Sequence, residues 1–247
     1  PDLVVTSACG EATTGTSRWL VHRNTGTGFA PTATEFALPR GYFSQEFSRI
    51  SRERTCSVSA HAHVLTDLDG DGRPDLVVTS ACGEATTGTS RWLVHRNTGT
   101  GFAPTATEFA LPRGYFSQEF SRVSRERACS ESSHSHALAD LDGDGRPDLV
   151  VTSACGEATT GTSRWLVHRN TGAGFAPTAA EIALPRGYFS LEFSRISRER
   201  TCSVSSHAHV LTDLDGDARP DLLVTSACGE ATTGTSRWLV HRNACTP

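Results

Sequence analysis

The chain has no methionine and no lysine, so all 23 of its basic residues are arginine. Such a bias fits a GC-rich bacterial genome or, as a second reading, sites that grip phosphate or carboxylate. The formal charge of −4 argues against a nucleic-acid partner. No apolar run approaches the roughly 20 residues that cross a bilayer, and no signal peptide is visible, so a soluble chain is expected. Asn-x-Ser/Thr sequons are missing. So are a Gly-x-Ser-x-Gly elbow, a phosphate loop and a Cys/His nucleophile arrangement, and the chain is therefore expected not to be an enzyme. The cysteines form no Cys-x-x-Cys pair, which argues against zinc.

What is present is repetition. Near-copies of Pro-Asp-Leu-(Val/Leu)-Val-Thr-Ser-Ala-Cys-Gly-Glu begin at Pro1, Pro74, Pro147 and Pro220, a constant spacing of 73 residues in a chain of 247. A unit of that length, rich in Gly, Thr, Ser and Val, reads as a small sheet that buries its faces against neighbouring copies. The chain opens inside a motif whose first half is missing and departs from the repeat at Ala244, which reads as a cut start and a natural end.

Within one unit, His61 to Leu68 and Asp75 to Ala81 are β-rich runs flanking an Asp-Gly turn, a hairpin signal. Ser90 to Arg96 is a third run. Phe102 to Leu111 is a fourth, with Pro104 suiting an edge strand. The copies differ mostly at alternate positions from Val58 to Thr66, the rhythm of a strand with two unlike faces. Four antiparallel strands are the content of one propeller blade. The expected fold is all-β, a β-propeller-like array with one four-stranded antiparallel blade per 73-residue repeat. The divisions are a partial first blade plus insertion at 1–60, a second at 61–133, a third at 134–206, and a partial fourth blade with its tail at 207–247. The insertion at 113–127 carries Phe116, Phe120 and Val123 at spacings that suit either helical turns or a strand. It is either a brace packed between blades or a partner-binding projection.

Asp67-Leu-Asp-Gly-Asp-Gly-Arg-Pro-Asp75 places four carboxylates in one tight turn, with Gly70 and Gly72 permitting the bend. Hard oxygen ligands in that number suit Ca²⁺, and unpaired carboxylates so close would repel. The expected ligands are Asp67, Asp69, Asp71 and Asp75, then Asp140, Asp142, Asp144 and Asp148, then Asp213, Asp215, Asp217 and Asp221. An EF-hand is excluded, because Val78 stands where its last Glu would be and strands replace its helices. The third loop is expected to be weakest, since Ala218 replaces a glycine.

The run Asp-Leu-Asp-Gly-Asp-Gly-Arg-Pro-Asp-Leu-Val-Val, followed by Trp-Leu-Val-His-Arg-Asn-Thr-Gly-Thr-Gly-Phe, resembles the FG-GAP/VCBS repeats of integrin α-chain propellers, fungal lectins and secreted bacterial proteins. The resemblance covers most of each unit. It implies a β-propeller with Ca²⁺ in the hairpin between the first two strands of a blade, and roles in adhesion or ligand binding. This unit is longer than usual, carries cysteines, and supplies four partial blades where the family normally closes seven.

Cys9, Cys82, Cys155 and Cys228 form one repeat class, and Cys56, Cys129 and Cys202 another, with Cys245 bringing both sets to four. The even pattern favours disulfides and an oxidising, extracellular compartment. One scheme pairs Cys56 with Cys82, Cys129 with Cys155 and Cys202 with Cys228, leaving Cys9 for Cys245. The other pairs Cys9 with Cys56, Cys82 with Cys129, Cys155 with Cys202 and Cys228 with Cys245. His61 and His63, with copies at His134/His136 and His207/His209, read as hydrogen-bonded strand histidines or as a transition-metal site. The tryptophan-arginine pairs Trp19/Arg23, Trp92/Arg96, Trp165/Arg169 and Trp238/Arg242 are core by default and sugar-binding if exposed. The loop of Glu84, Thr86, Thr87, Thr89 and Ser90 is a candidate glycan contact. The expected function is a secreted, non-enzymatic, multivalent Ca²⁺-binding adhesion module, lectin-like, with glycans or extracellular proteins as partners. The alternative is a self-assembling extracellular scaffold that associates through its incomplete end blades.

Overall fold

The computed structural model describes residues 1–41, 47, 54–55, 60–81, 84–114, 120, 127–128, 133–154, 157, 159–185, 200–201, 206–227 and 231–243. The chain forms two compact units, Pro1–Leu111 with Phe120–Arg122, and Pro112–Glu119 with Val123–Pro247. The first unit holds a three-stranded sheet of β1 (Leu3–Val5), β2 (Arg18–His22) and β3 (Thr34–Ala37). Its second sheet is five-stranded: β4 (Arg54–Thr55), β5 (Ala60–Thr66), β6 (Asp75–Ser80), β7 (Arg91–His95) and β8 (Thr107–Ala110). In the second unit, β9 (Arg127–Ala128), β10 (Ser133–Ala139), β11 (Asp148–Ser153), β12 (Arg164–His168) and β13 (Ala180–Ala183) repeat that sheet. The last sheet has four strands, β14 (Arg200–Thr201), β15 (Ser206–Thr212), β16 (Asp221–Ser226) and β17 (Leu239–His241). Every ladder is antiparallel and joins neighbours in sequence, and no helix occurs among the described residues.

The all-β meander is as the sequence reading expected, with two differences. A two-residue strand, β4, adds a fifth member outside β5 through Arg54↔His61 and Thr55↔Ala60. The fourth run is a strand only from Thr107, because Asn97 to Ala103 closes as a turn in which Ala103 N–H reaches Arg96 O (2.8 Å). Pro104, with no N–H to donate, begins the connection out of it.

β5 pairs with β6 from Thr66↔Asp75 to Ala62↔Ser80, with a register shift between Ala62 and His63 that leaves Thr79 as the extra residue of a bulge. The same shift recurs in the β10–β11 and β15–β16 ladders. Ala62, His63 and Thr79 are all buried, so strict alternation stops at the bulge. β6 is buried along nearly its whole length, being covered on both faces.

In the first unit, Trp19, Leu38 and Phe47 pack against Leu76, Val78, Ala81 and Phe102. Phe102 meets the Trp19 and Phe36 rings edge-on, at 5.6 and 5.0 Å between centroids. The two sheets are also seamed at their edges, where Ala37 bridges Gly101 and Phe102 N–H reaches Ala37 O at 3.0 Å. Gly101 has to be glycine: a Cβ there would lie 2.8 Å from that of Ala37. In the second unit, Leu141, Val150, Trp165, Val167 and Leu184 pack against Leu222, Val224 and Ala227.

Trp92 Nε1 donates to Phe120 O and Trp19 Nε1 to Phe47 O, both at 2.7 Å. Phe47 and Phe120, each within an insertion, are 1% exposed and therefore act as braces. Trp238, at the matching position of the last sheet, is 61% exposed. Truncating Trp92 to alanine is expected to cost about 3–5 kcal/mol by urea denaturation. The same change at Trp238 should stay within about 0.5 kcal/mol.

His22, His95 and His168 each donate Nδ1–H to a carbonyl of the following turn, Ala30, Ala103 and Ala176 respectively, at 2.8 Å. Burial holds His95 and His168 below the ordinary imidazole range, against the opposing effect of those carbonyls. The unfolded chain therefore binds more protons than the folded one just below pH ~6.5, and stability falls as pH drops through that window. The urea midpoint should be lower at pH 5 than at pH 7.5. His95→Asn, which keeps a donor near the Nδ1 position but cannot titrate, should shrink the difference.

Candidate metal centre

The acidic turn begins where the β5–β6 ladder ends, at Thr66↔Asp75. Asp67 shapes it: one carboxylate oxygen accepts Gly70 N–H (2.8 Å) and Asp71 N–H (3.1 Å), and the other accepts Gly72 N–H (2.7 Å). Gly70 and Gly72 take φ of 79° and 83°, the left-handed region that glycine enters without strain. Wrapped in this way, the turn brings carboxylate oxygens of Asp67, Asp69 and Asp71 within 4.8 Å of one another. Asp140, Asp142 and Asp144 form the same group, as do Asp213, Asp215 and Asp217.

The fourth carboxylate is elsewhere. Asp75 is 1% exposed; one oxygen accepts Asn97 N–H (2.9 Å), and the other accepts Arg96 Nη1 (2.6 Å). Asp148 and Asp221 repeat this with Arg169 and Asn170, and with Arg242 and Asn243. Asp75, Asp148 and Asp221, expected as ligands beside the other three, here anchor the hairpin to the following connection, apart from the three grouped carboxylates of each turn. Asp75 is the first residue of β6 and is bonded to the two residues that follow β7, Arg96 and Asn97, while Asp67, Asp69 and Asp71 belong to the turn. Burial pushes the Asp75 and Asp148 carboxyls up, opposed by the Asn97 and Asn170 N–H groups and by Arg96 and Arg169.

Two arginines meet each acidic group. Arg73 reaches Asp71 (2.5 Å), and Arg96 spans from Asp75 to Asp69 (3.2 Å). Arg146 and Arg169, and Arg219 and Arg242, do the same in their loops. Arg73 Nε also donates to Asn97 O (3.2 Å), tying the acidic turn to the next connection.

The sugar-binding reading of the tryptophan-arginine pairs is overturned at three of four places. Trp19, Trp92 and Trp165 are at most 2% exposed, because neighbouring residues cover that strand face. Arg23, Arg96, Arg169 and Arg242 are engaged by Asp2, Asp75, Asp148 and Asp221. Trp238 and Arg242 alone stay accessible as a pair, at 61% for the residue and 52% for the side chain. The Glu84 loop is tied internally, with Thr87 bonded to Glu84 (2.9 Å) and Thr89 and Ser90 bonded to Thr86 O.

His63, His136 and His209 are 2–3% exposed. His63 lies edge-on to the Phe47 ring at 5.3 Å, and His209 lies 6.3 Å from Trp165, which makes them core residues. The side chains of His61, His134 and His207 fall outside the described residues. Cys9 departs from the disulfide expectation, being free and exposed. Cys56, Cys82, Cys129, Cys155, Cys202, Cys228 and Cys245, and with them both pairing schemes, lie outside the described residues.

The chain belongs to the FG-GAP-like repeat family, whose pattern matches residues 67–151 and 140–224, more than half of the sequence. Each match starts at an acidic turn. No curated protein matches the chain. Among solved structures it is similar to a chain of the Photorhabdus luminescens Tc holotoxin pore, at 17% identity and a TM-score of 0.52. That likeness covers 91% of this chain but 8% of the toxin chain, and it is a likeness of fold.

Ala218 takes φ 68°, the one left-handed non-glycine among the described residues, and still donates its N–H to Asp213 (3.0 Å). Ala218→Gly is expected to stabilise the chain by about 1 kcal/mol, read as a higher urea midpoint.

Proposed function

We propose that the chain is an extracellular, non-enzymatic binding module that seats Ca²⁺ in its acidic turns and whose sheets are the blades of a propeller-like array. The observation that carries this reading is the grouping of three carboxylates within 4.8 Å in each turn. Oxygens bound to one Ca²⁺ at 2.3–2.6 Å lie at most about 5 Å apart, so the groups fit its shell, and their solvent-facing side leaves room for water. Asp67, Asp69 and Asp71 would hold the ion, as would Asp140, Asp142 and Asp144, and Asp213, Asp215 and Asp217. Bound there, Ca²⁺ supplies charge neutralisation and cross-links the turn, which adds stability by mass action.

Glycans or extracellular proteins are the partners of this reading, and secretion is its compartment. No helix among the described residues is long and apolar enough to cross a membrane. Trp238 with Arg242 carries the lectin-like part. A self-assembling scaffold is the second reading, favoured by exposed apolar residues at both terminal sheets, Leu3 at 43% and Val240 at 43%.

Isothermal titration with Ca²⁺ and melting with and without a chelator test the metal. Binding abolished in the first loop by Asp67→Ala, and a melting temperature lowered by several degrees on chelation, are expected. A melting temperature indifferent to chelator contradicts the metal reading. A glycan array beside sedimentation separates the two functions: bound sugar lost in Trp238→Ala supports the module, whereas polymers without sugar binding support the scaffold.

A further inference from the structure

Each acidic turn carries an arginine two residues after the last of its three grouped carboxylates: Arg73, Arg146 and Arg219. Arg73 takes both oxygens of Asp71, its backbone N–H reaching Oδ1 at 2.8 Å and its Nη2 reaching Oδ2 at 2.5 Å. Arg146 holds Asp144 in the same way, at 2.8 and 2.6 Å. Arg219 goes further and gives Asp217 its backbone N–H (2.9 Å), Nε (3.0 Å) and Nη2 (2.6 Å). Asp71, Asp144 and Asp217 each belong to a group of three carboxylates, so in every turn a guanidinium already sits on part of the shell that an ion would use.

The other arginine of each turn is of a different kind. Arg96 is tied to the buried Asp75 at 2.6 Å and reaches Asp69 at 3.2 Å, with its side chain 27% exposed. It is fastened to the core and stays in place whatever enters the turn. The Arg73 side chain is 54% exposed, and its guanidinium lies between Asp71 and the Asn97 carbonyl (3.2 Å) at the surface. An ion pair so exposed costs little to open. With both arginines in place, the four carboxylates of the first turn and its strand face two guanidinium groups, and withdrawing Arg73 leaves three of the four uncompensated.

We propose that Arg73, Arg146 and Arg219 are built-in competitors of the ion: each holds a carboxylate that the ion needs, and Ca²⁺ binds by taking Asp71, Asp144 or Asp217 from it. The inference rests on the metal reading above and adds to it the residues that set the affinity. A guanidinium on Asp71 and a Ca²⁺ on the same carboxylate stand about 5 Å apart, a distance at which two cations repel even in water. Each turn therefore binds Ca²⁺ more weakly than its carboxylates would without the arginine.

Isothermal titration of the intact chain with Ca²⁺ in about 0.1 M salt tests this. Arg73→Gln, Arg146→Gln and Arg219→Gln, made together, are expected to lower the mean Ca²⁺ dissociation constant about fivefold, the effect of withdrawing one unit charge about 5 Å from a divalent ion after screening. Damage to the turns weakens binding, so a tightening reports the loss of the competitor. Arg73→Lys, Arg146→Lys and Arg219→Lys, which keep the charge, should hold the affinity near that of the parent. So should Arg40→Gln with Arg113→Gln, two exposed arginines outside the turns. A parent that binds Ca²⁺ together with a Gln variant that binds it no better, or with either control tightened equally, overturns the proposal and leaves the metal reading standing. A Gln variant that takes up Ca²⁺ where the parent takes up none supports the competitor and overturns the metal reading. Absence of binding in both overturns the two together.

Discussion

A carboxylate removed from water has to be met by a cation and by N–H groups, and the buried aspartate at the foot of each acidic hairpin sets this requirement for the whole repeat. Asp75 closes the β5–β6 ladder, takes the backbone N–H of Asn97 in the next connection, and holds Arg96, the arginine that follows β7. Three successive pieces of chain are thereby fixed by one side chain. Because Arg96 also touches Asp69, the exposed acidic group is fastened to the core through the same contact. Removing Arg96 would leave the buried Asp75 carboxylate without its cation, which is far costlier than losing a surface ion pair.

Much of this was legible in the sequence. The 73-residue period, the strand-turn-strand signal at Asp-Gly-Asp-Gly and the β-rich Arg-Trp-Leu-Val-His run correspond to real strands, and the all-β expectation holds for the described residues. The role of Asp75 was not legible, because spacing counts carboxylates without saying which belong to the turn and which to the strand. Two neighbouring signals bear on it: Asp75 opens a buried strand, and Arg96 stands at the end of the strand beside it. The tryptophans were ambiguous for a related reason. A Trp-x-x-x-Arg spacing reads the same whether the face it lies on is covered or bare, and only the packing of Phe47, Phe102 and Phe120 decides.

The repeats also serve as an internal comparison in which sequence is nearly constant and surroundings vary. Trp92 and Trp238 lie in the same Ser-Arg-Trp-Leu-Val-His-Arg run, yet one is sealed and the other stands in solvent. Asp2 and Asp75 each accept an arginine and an asparagine N–H in the same pattern, yet the carboxyl of Asp2 sits below its ordinary value and that of Asp75 above it, because desolvation outweighs the hydrogen bonds only at Asp75. Burial and titration in this chain are thus set by what lies alongside each sheet, while the local hydrogen-bonding pattern travels with the sequence.

The seam between the first two sheets has a mechanical meaning. Ala37 is gripped on both sides, its N–H by Thr100 O and its carbonyl by Phe102 N–H, with Gly101 admitting the close approach. A force drawn along β3 would load both bonds in shear at the same moment, so they would resist together, where bonds peeled from one end would break in turn. Placed at a junction between near-identical sheets, such a clasp stiffens the first unit against stretching through backbone hydrogen bonds.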